Sequence, residues 1–366
     1  MRHLHSIPQK RKIDIILLIT AILLVLLGLL AVFDASQFQA FQEFGDKMYF
    51  IRQQLISAAL GFILLVFFIF FDYHRLEKIA LPFLLVSILL LILVFVPGFG
   101  VLAGGAHRWL KFAGFTIQPA EIIKLSTIIY FASVFQNKVQ TKTFVVILGI
   151  VAVIVGVFQK DLGSAIVYSL VAFSVYFIAG APTSHFLGLL FTGIFGAVFF
   201  IATAPYRIQR VLAFLDPFAD TQGFTYHISQ VLIAIGSGGI FGLGIGQSRQ
   251  KFSYIPEVTT DSIFSIIGEE FGFIGCLLLL TVICFLIYRS FKIAENAPDK
   301  FGRLLAIGLV VWLGSQAIVN LAAMVSLLPL TGVPLPFISY GGSALIANLV
   351  TVGILLNISR QGHISR

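Results

Sequence analysis

The residues able to do chemistry in this chain are few, and they stand where charge is costly. Asp261 lies immediately before a long apolar run, with Arg249 and Lys251 a few residues upstream. An earlier set holds Arg108, Trp109 and Lys111 in GGAHRWLKFAG, followed by Gln118, Glu121 and Lys124 where another apolar run opens. Residues three apart share a helix face, so Gln118, Glu121 and Lys124 point one way. Counted from Pro119, Lys124 is about 8 Å into that helix. Charges at such depth face a bundle interior or a watery cavity. Two arrangements meet that demand: an ion pair that neutralises itself, or a polar cavity wall extended by Arg108 and Gln118. Several cations and one carboxylate suit an anionic substrate with a lipid tail, such as a polyprenyl diphosphate sugar. Cations hold a diphosphate and stabilise it as a leaving group, while a single carboxylate takes the proton from an attacking hydroxyl. No general acid is required, because a diphosphate departs already ionised.

What must position these residues is a set of membrane helices. The chain is 58% hydrophobic and 11% charged, against about 25% charged in soluble proteins. Its apolar residues fall in runs of about 20, the length that crosses a hydrocarbon core of about 30 Å. Ten spans are predicted: Ile13–Phe33, Tyr49–Phe71, Ile79–Val96, Ile117–Val134, Phe144–Phe158, Leu162–Ala179, Leu187–Thr203, Ile263–Ile287, Leu304–Val325 and Leu345–Ile358. They make residues 1–366 a single polytopic, all-α membrane domain. Ten crossings put both termini on one side. That side carries fourteen Lys and Arg residues, from Arg2, Lys10 and Arg11 to Arg366, against five in the short loops opposite. The positive-inside bias makes it the cytoplasmic side. Residues 204–262, between spans 7 and 8, then form one large extracytoplasmic loop. The first span is too long for the h-region of a signal peptide, and no A-x-A-like site follows it. The net charge of +8 belongs to cytoplasmic loops, not to nucleic-acid binding. Cys276 and Cys284 share one run at a spacing of about 12 Å along a helix axis, which excludes a disulfide.

Several polar stretches carry two readings. The glycine-rich loop around Trp109 is either a flexible outer turn with its indole in the interfacial aromatic belt or part of the site. Asp161 and Asp261 each precede a helix, where aspartate is a common N-cap. Tyr226–Ile235 has the pattern of an interfacial amphipathic helix with His227 and Gln230 on its polar side. Asp216-Pro217 and Asp220 mark turns. GSGGIFGLGIG has neither a preceding strand nor a closing Gly-Lys-Ser/Thr, so a nucleotide loop is disfavoured. A re-entrant or closely packed segment fits better. Glu269 and Glu270 point about 100° apart, so at least one looks inward. The proline-rich LPLTGVPLPFISYGGSA reads as a broken helix, tolerated only against protein or water.

These stretches also carry a resemblance. GQSRQKFSYIPEVTTDSIFSIIGEEFGFIG, with GGAHRWL, QPAEIIKL, QKDLGSA and LTGVPLPFISYGGSALIANLVTVGILLNISR, resembles the FtsW, RodA and SpoVE family of bacterial shape, elongation, division and sporulation proteins. GIGQSRQKFSYIPE is more similar to the division-type FtsW branch than to RodA. The resemblance implies a ten-helix peptidoglycan glycosyltransferase that polymerises lipid II on the outer face of the cytoplasmic membrane. It also implies a class B penicillin-binding protein transpeptidase as partner, within the divisome or elongasome. The family's essential aspartate falls at Asp261, and Trp109, Gln118, Glu121 and Lys124 match the motif around the lipid-binding cavity. The chain departs from the pattern at Thr259, where a histidine is usual, at Ser262, where a phenylalanine is usual, and at Lys160, where a proline is usual. The expected site is thus Asp261 as general base, with Arg108, Trp109, Gln118, Glu121, Lys124, Arg249 and Lys251 around the substrate. No cluster of carboxylates builds a metal site. A divalent cation, Mg or Mn, would be held mainly by diphosphate oxygens and by Asp261. A lipid II flippase without glycosyl transfer is the alternative, since the same buried charges would serve it, although no inverted repeat of broken helices stands out. A scaffold that only recruits the transpeptidase leaves those charges without purpose.

Overall fold

Apolar run length builds most of the molecule. The computed structural model describes residues 12–362 apart from 104, 113–114, 203–204, 219–222, 253–254 and 256. Arg2, Lys10, Arg11, Arg366, Asp220 and Pro256 of the sequence reading lie outside the described residues, as do the side chains of Arg207 and Arg210. The chain is mostly helical: α1 (Ile15–Phe44), α2 (Tyr49–Phe70), α3 (His74–Leu93), α4 (Pro119–Phe135), α5 (Thr141–Val153, continued by a π-helical turn Ile154–Phe158), α6 (Leu162–Ile178), α7 (Thr183–Ala202), α8 (Pro205–Leu215), α9 (Gly223–Ser237), α10 (Ile263–Glu295), α11 (Lys300–Met324) and α12 (Gly342–Gln361).

Each predicted span falls on one of these helices. Among the described residues, α1, α2, α3, α5 with its π-helical turn, α10, α11 and α12 are long and apolar enough to cross a membrane. The helices α4 and α6 have 17 residues each, and the apolar stretch Thr183–Gly196 of α7 is also short. The central column is α11, which packs against α4, α6, α10 and α12 and buries Trp312, Gln316 and Asn320. Leu30, Ile63 and Leu89 on α1 to α3 are exposed, as expected of helix faces that meet acyl chains.

Two features correct the sequence reading. The fold is not purely helical, and the loop around Trp109 is not a flexible turn. It is a three-stranded antiparallel sheet in the order β1 (Gly100–Ala103), β2 (Ala106–Phe112), β3 (Phe115–Ile117). Leu110 of β2 faces Gly100 on one side and Ile117 on the other. Ala106 and Leu110 find cover and are buried while Lys111 is exposed, and the β1–β2 register shifts opposite Arg108. Because Ile117 pairs in the sheet, α4 starts only at Pro119, a proline near the helix start where its missing N–H costs nothing. The second correction concerns α1, which continues past the predicted Phe33 to Phe44 and so places Asp34 inside the helix.

The glycine-rich segment is the closely packed element it was expected to be. Helix α10 breaks at Gly272, whose φ of 64° and ψ of −164° belong to a region essentially reserved for glycine. The break frees helical backbone groups, and residues 239–244 bond to them. Leu243 N–H donates to Glu269 O at 2.9 Å and Gly244 N–H to Glu270 O at 3.0 Å, while Phe273 N–H donates to Gly239 O at 2.9 Å. The approach needs bare glycines: a Cβ on Gly272 would stand 2.3 Å from the Gly242 nitrogen, and one on Gly242 2.1 Å from Glu270 O. Gly272→Ala is therefore expected to lower stability by about 2 kcal/mol or more, read as a lower thermal midpoint in detergent, while Gly236→Ala, where a Cβ meets nothing within 4 Å, leaves the midpoint near wild type.

Candidate active site

The loop that ends on Asp261 is held from both sides. After the glycine segment, Ser248 to Gln250 turn back onto α10. Ser248 Oγ donates to Glu269 Oε2 at 2.5 Å, Arg249 N–H to Glu269 Oε1 at 3.0 Å, and Ser248 N–H to Glu270 Oε1 at 3.1 Å. Glu269 and Glu270 are both buried, more than the single inward carboxylate that helix geometry requires, because the loop wraps the helix where it is broken. Lys251 closes the arrangement. Its Nζ lies 2.9 Å from Asp34 Oδ1 and 3.0 Å from Glu270 Oε1. Burial acts against the charge of this ammonium, but the hydrogen bonds to Asp34 and Glu270 outweigh it and hold its pKa above the ordinary lysine value.

This corrects the expected role of Lys251, whose charge is committed to two protein carboxylates and not presented to a ligand. The missed partner was Asp34. Lys251→Met leaves two carboxylates facing each other in a half-enclosed spot, and is expected to destabilise by about 1–3 kcal/mol. Limited proteolysis between α9 and α10 should quicken in that variant, and an unchanged cleavage rate would show that the ion pairs do not hold the loop. Arg249 differs from Lys251: only its backbone N–H is engaged by Glu269, and the residue is exposed.

Asp261 itself is buried, at 6% exposure. The N-cap position of α10 is Ser262, which makes no side-chain cap bond, so Asp261 does not sit at the cap. Its carbonyl accepts from Asn320 Nδ2 at 2.7 Å, and the same amide donates to Val333 O at 2.8 Å. Asn320, 1% exposed, thus ties the start of α10 to the proline-rich segment from within α11. A Cβ on Gly332 would stand 4.0 Å from Asp261 Oδ2, which places that backbone beside the carboxylate. On the other flank, Tyr340 N–H donates to Thr259 O at 2.8 Å. Thr260 Oγ1 lies 3.4 Å from Asp261 Oδ1 and 3.1 Å from Glu257 Oε2, so a second, exposed carboxylate approaches through one hydroxyl. Among the described residues no group of three or more His, Cys, Asp or Glu could hold a metal ion.

The earlier set connects to the same place through backbone contacts. Arg108 donates from Nε to Gln159 O at 3.1 Å and from Nη2 to Lys160 O at 2.5 Å, which fixes the turn before α6 and leaves the other guanidinium donors for a ligand. Trp109, the next residue of β2, is half-buried and pairs with Val101 of β1. Asp161 caps α6, accepting from the N–H and Oγ of Ser164 at 3.0 and 2.8 Å, and Gln118 Nε2 lies 3.4 Å from its Oδ2. Gly163 then approaches Thr331 so closely that a Cβ would stand 2.4 Å from its carbonyl oxygen. Asp261 and the start of α6 therefore border one block, residues 331–333, to which Arg108 and Gln118 connect through residues 159–161.

Glu121 and Lys124 lie beneath it. Lys124 Nζ is 2.8 Å from Glu121 Oε1 and 3.3 Å from Gln316 Oε1, and it stands 5.1 Å from the centre of the Trp312 ring. Both charged side chains are 1% exposed. They form an enclosed ion pair between α4 and α11, not an open cavity wall. The cause is Trp312 and Gln316, one helical turn apart on α11, which cover the pair and were not read from the sequence.

These features define a class: a multi-pass helical membrane protein with a buried aspartate where a broken loop meets a half-covered polar surface. The chain belongs to the FtsW/RodA/SpoVE family, described as "Cell cycle protein", whose profile matches residues 14–364, and it groups with the FtsW branch. It is 40% identical over 357 residues to the probable peptidoglycan glycosyltransferase FtsW of Geobacter sp. (strain M18), covering 95% of this chain and 97% of the relative. It is 39% identical to the stage V sporulation protein E of Bacillus subtilis (strain 168), over 97% of this chain and 99% of the relative. A solved structure reported as structural coordination of polymerization and crosslinking by a peptidoglycan synthase complex superposes with a TM-score of 0.77 at 29% identity, over 95% of this chain and 98% of that one.

Proposed function

We infer that this chain is a peptidoglycan glycosyltransferase of bacterial cell-wall synthesis, which polymerises lipid II into glycan strands at the outer face of the cytoplasmic membrane. Family membership and the glycosyltransferase relatives carry the reaction class. The single observation that carries the mechanism is the buried carboxylate of Asp261, its backbone pinned by Asn320. Asp261 takes the proton from the acceptor sugar's hydroxyl as that oxygen bonds to the donor's anomeric carbon. The bond to the lipid diphosphate breaks, and the diphosphate leaves ionised. Arg249 and the open donors of Arg108 are the cations left to hold it, with Trp109 and Gln118 on the same side of the substrate. Mg or Mn would enter with the diphosphate and take its protein oxygens from Asp261 and Glu257.

Both termini are assigned to the cytoplasm on the charge bias, which sets the 204–262 loop outside. A class B penicillin-binding protein transpeptidase, in the divisome or elongasome, is the proposed partner, supported by the similarity to a complex that couples polymerization with crosslinking. The flippase alternative loses its main support, since Glu121 and Lys124 are sealed and do not line a path.

The test is strand synthesis from labelled lipid II by the purified chain with its transpeptidase partner in detergent, where flipping has no meaning. Glycan ladders on a gel are expected. Lipid II left intact under conditions where the partner crosslinks added strands would overturn the reading.

A further inference from the structure

The residue after Asp261 is held by a side chain from another element. Ser262 is 0% exposed, and His227 Nε2 lies 2.8 Å from its Oγ. His227 is near the start of α9, which packs along α10 and reaches α11. The remainder of Ser262 is already committed. Its carbonyl accepts from the N–H and Oγ of Ser265 at 3.0 and 2.7 Å, and its N–H donates to Glu257 O at 3.4 Å. As an N-cap whose side chain makes no cap bond, Ser262 has its hydroxyl available for the imidazole. Asp261 thus sits between two anchors. Asn320 of α11 fixes its own carbonyl, and His227 of α9 fixes the next residue.

Two of the three departures from the family pattern fall at this spot. Thr259 stands where a histidine is expected, and Ser262 where a phenylalanine is expected. Thr259 contributes its carbonyl to Tyr340, and the small Ser262 leaves room for a ring from α9. An imidazole reaches the neighbourhood of Asp261 from α9 instead.

We propose that His227 is a positioning residue for Asp261, acting through the Ser262 hydroxyl as a latch between α9 and the catalytic loop. The proposal rests on Asp261 being the general base. A carboxylate that must meet a proton at hydrogen-bond distance loses rate steeply when its backbone is free to shift by a fraction of an ångström. The latch supplies that constraint without touching the substrate, so it acts on turnover and not on substrate affinity.

The test is a double-mutant cycle in steady-state strand synthesis from lipid II, using the full chain with its transpeptidase partner. His227→Ala and Ser262→Ala are each expected to lower kcat about tenfold, with KM for lipid II within about twofold of wild type. The double variant should be no slower than the worse single one, because both remove one interaction. His227→Gln, whose amide can meet the same hydroxyl, should recover most of the rate. That rescue and the unchanged KM are results that a general loss of packing does not produce. Thermal unfolding of each variant reports the folded fraction, and if His227→Ala does not fold, Ser262→Ala and His227→Gln carry the decision. Single variants with wild-type kcat, or losses that multiply in the double variant, overturn the latch. Asp261→Asn runs alongside. An inactive Asp261→Asn with a fully active His227→Ala sinks the latch alone, whereas an active Asp261→Asn sinks the general base and the latch with it.

Discussion

Exchanging Asp261 for asparagine is expected to stop strand synthesis while leaving the fold in place. The change removes a proton acceptor while keeping the size and shape of the side chain. The Asp261 carbonyl, which receives the Asn320 amide at 2.7 Å, is untouched, and the N-cap position of α10 belongs to Ser262. General-base catalysis is worth roughly 10²- to 10⁴-fold, so residual turnover should lie at or below about one hundredth of wild type. Lipid II binding should persist, because Arg108, Trp109, Gln118 and Arg249 keep their places. The measurement is strand length and initial rate from labelled lipid II, with binding followed separately by thermal shift on adding substrate. Asp261→Asn with wild-type rate would remove the base from the mechanism. Weakened binding together with lost rate would move Asp261 from proton transfer to substrate capture.

Much of this site was legible because its residues break a strong pattern. In a chain of apolar runs, a polar residue is conspicuous, and Asp161, Asp261, Glu269 and Glu270 all stand out on that ground. Helix spacing paired Glu121 with Lys124, whereas Gln118 stands outside α4, at its extended N-cap position, and turns to Asp161. What could not be read were the partners supplied from elsewhere in the chain. Asp34 lies one residue beyond the apolar run that ends at Phe33, yet α1 continues to Phe44. A helix does not need an apolar sequence once it leaves the bilayer. Asn320 and Gln316 are neutral amides inside an apolar helix, and nothing local distinguishes a structural amide from a functional one. Their work is to satisfy carbonyls of the irregular segment at Val333 and Pro334, and that need exists only when α11 and the segment are already side by side. The sheet was hidden for another reason. Glycines at both ends of AHRWLKF favour a loop reading, while the strand depends on Ala106 and Leu110 finding cover. The His227 and Ser262 contact joins residues 35 positions apart, and no spacing rule connects them.

The Glu121 and Lys124 pair is where stability and function should separate. Lys124→Met alone leaves Glu121 charged and buried at 1% exposure, with its Oε2 already lacking a hydrogen-bond partner. Breaking a buried pair from one side costs about 3–5 kcal/mol, so this variant is expected to unfold at markedly lower temperature in detergent. Glu121→Gln alone should suffer less, since the lysine keeps the Trp312 ring at 5.1 Å and the Gln316 oxygen at 3.3 Å. The double variant, Glu121→Gln with Lys124→Met, should regain most of the lost stability, because a buried ion pair exchanged for uncharged side chains of similar size is often neutral or better. That same energetics makes a purely structural role an incomplete explanation. If packing were the only demand, an uncharged pair would meet it at lower cost. The pair is also tied to the proline-rich segment, since Lys124 holds Gln316 Oε1 and Gln316 Nε2 donates to Pro334 O. The folded double variant is therefore expected to polymerise about tenfold more slowly than wild type, because Gln316 loses the Lys124 ammonium that orients it toward Pro334. A double variant that is stable and fully active would reduce the pair to a filler between α4 and α11. One that is stable and slow would make it a positioning pair, acting on the proline-rich segment through Gln316.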